Sequence, residues 1–324
     1  MPGTDLHTHL APDFGEDALP PAIELGEDGR YSADGKTLGL PALYRREELI
    51  AYLDESRLDR AVVSVPPPFY RQGLGAGAAA AWARELNDGI LRRIDGEPRL
   101  SALAYLPLEH PDLALSEVRR VAGAGFVGFT AAAGGRSPSL ADASLEPLWE
   151  ELDERAALLL LHPGESPDPR LEDLYLANLL GNPQETTLAA AQLVFGDVLP
   201  RFPALRFLLV HGGGAAAALA GRWERGALTK RPGLRPLTES PLEAVRRLYA
   251  DTVTHHPQAT ALATAVFGED RIVLGSDWPF PMGAYDHSGL GRRVRVENPG
   301  AALGGIPSAR PSLRARGAGP PRSR

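Results

Sequence analysis

The 324-residue chain contains no cysteine. Disulfides, thiolate nucleophiles, Fe–S clusters and Cys-ligated zinc are therefore excluded together. Lysine is almost as scarce: it occurs only at Lys36 and Lys230, and the other 32 basic residues are arginine. Aromatic residues make up 6% of the chain, so most core volume must come from Ala, Leu and Val. No stretch reaches the roughly 18 apolar residues of a membrane span. The Ala/Gly-rich segment 74–83 is too short and runs into charges. The N-terminus, MPGTDLHTHL, lacks a basic region followed by an apolar run, so no signal peptide is expected and the cytoplasm is the expected compartment. A formal net charge of −7 argues against general attraction to nucleic acid or anionic membranes.

What the chain does contain is enough apolar material for a large core: 44% hydrophobic and 23% charged residues. Its length suits two ordinary domains or one large barrel. Apolar strand signals fall at 4–6, 60–65, 100–106, 126–130, 157–161, 206–210, 247–252 and 271–275. Helical patterns separate most of them, at 46–57, 76–94, 112–123, 144–155, 171–180, 186–198, 215–225 and 257–267. Continuous apolar strands imply burial on both faces of a parallel sheet. Eight such units predict an α/β fold, a closed (β/α)8 TIM barrel over residues 1–304. A doubly wound sheet is the competing architecture, but no early G-x-G-x-x-G supports a dinucleotide-binding version. Residues 11–45, rich in Pro, Gly and Asp, read as a long loop or small insertion on the rim. Residues 305–324, with repeated Pro, Gly, Ser and Arg, read as a disordered tail or an arm that orders against another subunit.

Polar residues gather at the predicted strand ends. His7 and His9 flank the end of the first strand, His162 ends the fifth, His211 ends the sixth and Asp277 follows the eighth. In a barrel these positions converge on one face. Alternate residues of a strand point the same way, so His7 and His9 can reach one ion. His7, His9, His162 and Asp277 supply three nitrogens and one oxygen, a set that suits Zn²⁺, with Mn²⁺ or Fe²⁺ also compatible. Asp5 is expected to support this set. The fourth strand is expected to end near Thr130 with no lysine nearby, which argues against a carbamylated-lysine bridge between two metals. His211 opens an HGGG run and is the expected general acid or base; the absence of G-x-S-x-G weakens an esterase reading of that run. Trp278 and Phe280 either wall a substrate pocket or pack the barrel mouth. Arg222 either forms a surface salt bridge or contacts a substrate carboxylate. Arg45, Arg46 and Arg71 are further candidates for clamping an anion, while His255 and His256 either touch the rim or, as expected here, lie at the surface.

The ordered set Asp5-Leu6-His7-Thr8-His9, His162-Pro163, His211-Gly212-Gly213-Gly214 and Gly275-Ser276-Asp277-Trp278-Pro279-Phe280 resembles the amidohydrolase superfamily. More narrowly it resembles the aminocarboxymuconate-semialdehyde decarboxylase family, which Trp82-Ala83-Arg84-Glu85-Leu86-Asn87-Asp88 also resembles. The resemblance spans about residues 3–304. It implies a single metal on His7, His9, His162 and Asp277, a catalytic His211 assisted by Asp277, and a homodimer in which Arg222 reaches a substrate carboxylate across the interface. The family's other substrate arginine has no counterpart at 35–41, where only Lys36 is basic. The implied activity is decarboxylation of a small anionic organic substrate, an unsaturated or aromatic carboxylic acid. The alternative is hydrolysis of a lactone, an amide or a related carbonyl compound at the same metal.

Overall fold

The computed structural model describes residues 3–15 and 19–305. The expected tail lies outside them apart from Gly305. Among the described residues eleven strands are formed: β1 (Thr4–His9), β2 (Ile23–Leu25), β3 (Tyr31–Ala33), β4 (Lys36–Thr37), β5 (Arg60–Ser64), β6 (Leu100–Leu106), β7 (Gly128–Ala133), β8 (Leu158–Pro163), β9 (Arg206–Leu209), β10 (Tyr249–Asp251) and β11 (Ile272–Val273). Eight of them pair in parallel in the order β1-β5-β6-β7-β8-β9-β10-β11. The seam back to β1 is made by Leu6 N donating to Leu274 O (3.0 Å) and His9 N donating to Trp278 O (2.9 Å). This unbroken order, closed on itself, is a (β/α)8 barrel and not a doubly wound sheet, whose strand order would reverse.

The strands are buried because both faces are covered. Leu6, Val62, Leu103, Leu158, Leu160, Leu208, Tyr249 and Val273 fill the barrel's interior. The opposite faces pack against helices. Helix Ala76–Ile94 spans the range predicted for it and buries Trp82, Ala83, Leu86 and Ile90, which recur at helical spacing. Fully burying each large side chain of this kind stabilises the fold by about 1.5–3 kcal/mol. The short helix Pro241–Val245 starts at a capping box in which Ser240 and Glu243 satisfy each other's backbone N–H groups.

Three local readings differ from the sequence pattern. The helix expected at 171–180 forms only in its last part, where the π-helix Ala177–Gly181 leads into the next helix. Leu174 and Tyr175 adopt φ of 57° and 59°, left-handed values that break a helical hydrogen-bond ladder, and Leu174, Leu179 and Leu180 are exposed while Leu171 is buried. The following helix runs Asn182–Phe195, earlier than expected, and left-handed Asp197 separates it from the turn Val198–Arg201. β7 starts and ends later than predicted, so Thr130 sits inside the strand and not at its end. The unpatterned segment after β1 contains the small antiparallel sheet β2-β3-β4. Phe14 joins this sheet to the barrel, with its ring 4.7 Å from Tyr31 and 5.5 Å from Trp82.

A candidate metal centre at the barrel mouth

The carboxyl ends of the parallel strands bring His7, His9, His162 and Asp277 together. Each offers one ligand atom, and these atoms lie within 4.8 Å of one another. His7 Nε2 and His9 Nε2 are 3.2 Å apart, and both approach Asp277 Oδ1, at 3.3 and 3.2 Å. All four residues are buried.

The outer ring nitrogens show why the Nε2 atoms face inward. His7 Nδ1 is 2.7 Å from Asp251 Oδ2, and His162 Nδ1 is 3.2 Å from the Pro163 carbonyl. Both partners accept only, so Nδ1–H donates and Nε2 keeps its lone pair. His9 Nδ1 lies 3.1 Å from Ser64 Oγ, which can accept in the same sense. Burial, reinforced by neighbouring imidazoles, keeps His162 well below its ordinary value and hence neutral. Burial also lowers His9. At His7 burial opposes the charge, but Asp277 and Asp251 outweigh it and raise the imidazole to about 10, so a proton and a cation compete for Nε2. His162 Nε2 and Asp277 Oδ1 have no hydrogen-bond partner although both are buried. Buried polar atoms of this kind ordinarily find partners. Three ring nitrogens and an ionised carboxylate converging on one point fit a divalent cation that displaces the His7 proton, so the residues present can hold one metal. Neither lysine lies on a barrel strand.

Asp251, at the end of β10, has no sequence motif around it that would mark it. Besides holding His7, its Oδ1 accepts from Gly212 N (2.8 Å) and Val253 N (3.0 Å). Asp5 ties the seam from below: Oδ1 accepts from His7 N and Ser276 N, both at 3.1 Å, and Oδ2 accepts from Tyr52 Oη at 3.0 Å. Gly275 lets these parts close up, because a Cβ there would stand 2.8 Å from Asp251 Cβ and 2.9 Å from His7 Cβ. Gly275→Ala is therefore expected to destabilise the fold by about 1–3 kcal/mol through overpacking. Chemical denaturation would measure this, and an unchanged midpoint would show that the seam can relax.

His211 follows β9 in a left-handed conformation (φ 56°), with Nε2 3.7 Å from Asp277 Oδ2 and a buried Nδ1 that has no partner. It lines a cavity of about 350 Å³ together with Asn178, Asn182, Thr254, His255 and Met282, contributed by the loops after β8, β9, β10 and β11. Phe280 meets the His9 ring at 5.4 Å, whereas Trp278 is buried and stacks on Tyr52. Arg222, on helix Ala216–Leu228, is exposed and does not line this cavity. Arg45 pairs with Glu48, Arg71 pairs with Asp34, and Arg46 donates to the Asp95 and Arg93 carbonyls. His255 and His256 are exposed, as expected for surface residues.

His287 is buried, and its Nε2 lies 2.7 Å from Tyr52 Oη. Burial, with Arg295 nearby, pushes its imidazole down to about 4, while Asp286 works weakly the other way. The unfolded chain thus binds a proton near pH 6.5 that the folded chain refuses until about pH 4, and this group costs stability as pH falls through that window. His287→Gln is expected to narrow the stability gap to the wild type between pH 6.5 and 4, read from unfolding midpoints. A constant gap would place the titration elsewhere.

Comparison with known proteins agrees with this arrangement. The amidohydrolase family model matches residues 4–303, and the chain belongs to that family. It is 30% identical over 239 residues to 2-amino-3-carboxymuconate-6-semialdehyde decarboxylase of Dictyostelium discoideum, covering 72% of this chain and 66% of that protein. It is 28% identical over 245 residues to gamma-resorcylate decarboxylase of Rhizobium sp., covering 70% of this chain and 75% of that one. In structure it resembles a dihydroxybenzoic acid decarboxylase of Polaromonas sp. solved with manganese and the inhibitor 2-nitroresorcinol. That match has a TM-score of 0.75 and 20% identity, covering 93% of this chain and 96% of the other, a likeness of fold. The named relatives are decarboxylases, which supports a metal-dependent decarboxylase. No helix among the described residues is long and apolar enough to cross a membrane.

Proposed function

We propose that the protein is a mononuclear metal-dependent decarboxylase of a small unsaturated or aromatic carboxylic acid. The observation that carries this reading is the convergence of His7, His9, His162 and Asp277 on one point beside His211, in a chain of this family. These four residues would hold the ion. Zn²⁺ suits their three nitrogens and one oxygen, and Mn²⁺ or Fe²⁺ is compatible. A bound divalent ion supplies Lewis-acid charge to substrate oxygens. Asp277 orients His211 through the neighbouring Oδ2. His211 delivers a proton to the carbon that carries the carboxylate. The bond to that carboxylate then breaks, CO₂ leaves, and the bonding electrons return to the carbon framework, so one proton is taken up per CO₂ released. Phe280 and the apolar part of the cavity, which includes Met282, would shield the reacting carbon from water, with Trp278 backing the mouth.

Arg222 and the dimer belong to the same reading. An exposed arginine that makes no ion pair among the described residues suits a second subunit's substrate carboxylate, and we assign it that role in a homodimer. Direct detection of CO₂ from a panel of unsaturated and aromatic acids, with the metal-loaded protein, tests the reaction. Release from at least one acid is expected. Ring or amide hydrolysis without CO₂ would replace this reading with the hydrolase one.

A further inference from the structure

Tyr70 and Thr130 carry two buried hydroxyl groups that the proposed reaction does not use. Tyr70 is 3% exposed and Thr130 is fully buried; the two hydroxyls stand close enough to interact with each other, and neither has any other hydrogen-bond partner. Within such a pair one O–H still lacks an acceptor, which is costly when buried, so a further partner from outside the chain is expected. Both stand next to the metal centre. The Tyr70 ring lies 6.1 Å from the His162 ring, edge to face. On β7, Thr130 is two residues before Ala132, the cross-strand neighbour of His162, so it occupies the same face one layer deeper. Tyr70 also follows the turn Pro67–Phe69 that leaves β5, on the same end of the barrel.

The Tyr70 ring is held rigidly. Its face stacks on Tyr105 at 5.1 Å with an interplanar angle of 19°, and its carbonyl accepts from Tyr105 Oη at 3.2 Å. Burial raises the phenol above its ordinary value, so it stays a donor throughout the neutral range. A neutral, immobile donor beside a cationic site has the properties of a recognition group. It adds direction without competing for the ion.

We propose that Tyr70 and Thr130 form a hydroxyl-lined subsite that binds an oxygen substituent adjacent to the scissile carboxylate of the substrate. The choice of substrate rests on the decarboxylase reading; the subsite itself can be tested by binding alone. Salicylate and benzoate differ only in one hydroxyl next to the carboxylate and serve as the probe pair. With metal-loaded protein, calorimetric titration is expected to show wild type preferring salicylate. Tyr70→Phe, which keeps the ring and its stack, and Thr130→Val are each expected to weaken salicylate binding about tenfold. Benzoate binding is expected to change by less than about twofold. The double variant is expected to bring the two acids together. Unfolding midpoints and metal content of the variants establish that fold and ion are retained. No salicylate preference in wild type, unchanged salicylate binding in the variants, or equal losses for both acids would each overturn the subsite. Selective loss without CO₂ release from any acid would leave the subsite standing and sink only the decarboxylase reading.

Discussion

Replacing His211 with glutamine is expected to lower turnover by about 10²–10⁴-fold, the range typical of a lost general acid or base, while metal content stays at the wild-type level. The geometry separates these two effects. His211 lies outside the four donors that converge on one point, with its Nε2 3.7 Å from Asp277 Oδ2. A glutamine amide can still fill the space and donate a hydrogen bond, but it has no proton to exchange in the neutral range. Single-turnover CO₂ release and elemental analysis of the same preparation would read both quantities. Full activity in the variant would remove His211 from the proton path. Loss of the ion along with activity would make His211 part of the metal site instead.

Asp251→Ala should act on metal affinity first. Its carboxylate fixes the His7 tautomer, and loss of such an outer partner typically lowers metal affinity or activity about 10–100-fold. A second consequence is specific to this chain. The other carboxylate oxygen holds Gly212 N, next to His211, whose left-handed backbone needs external support. The alanine variant is thus expected to lose activity beyond what added metal restores. Asp251→Asn, which retains one acceptor oxygen, should be intermediate. Chelator competition gives the affinity, and turnover at saturating metal gives the remainder. An unchanged affinity would mean that His7 is oriented by packing alone.

These two residues mark what could and could not be read from the chain beforehand. His211 sits in a run of three glycines after an apolar strand, and the paired histidines and Asp277 sit in equally conspicuous strings. Their convergence follows from strand ends sharing one face, which eight apolar strand signals were sufficient to suggest. Asp251 ends a strand of three residues, with no pattern around it, and its partner His7 is 244 positions away. The link from Asp5 to Tyr52 and on to His287 was hidden for the same reason: each step crosses between elements distant in sequence. The segment 171–180 misled in the other direction. Its leucines are spaced as on a helix, but Leu174, Leu179 and Leu180 are exposed, and a left-handed pair that spacing cannot foretell interrupts the segment.

The closure of the barrel has a temporal consequence. The carboxylate of Asp5 joins the first strand to Ser276, a residue 271 positions later, and Asp277 follows immediately. Proteins are synthesised at about 5–20 residues per second. The two histidines at the start of the chain therefore wait on the order of 15–55 s for their carboxylate neighbour to leave the ribosome. A nascent or prematurely terminated chain holds only a partial donor set throughout that interval. The four donors can thus come together only once the last barrel strand docks on the first.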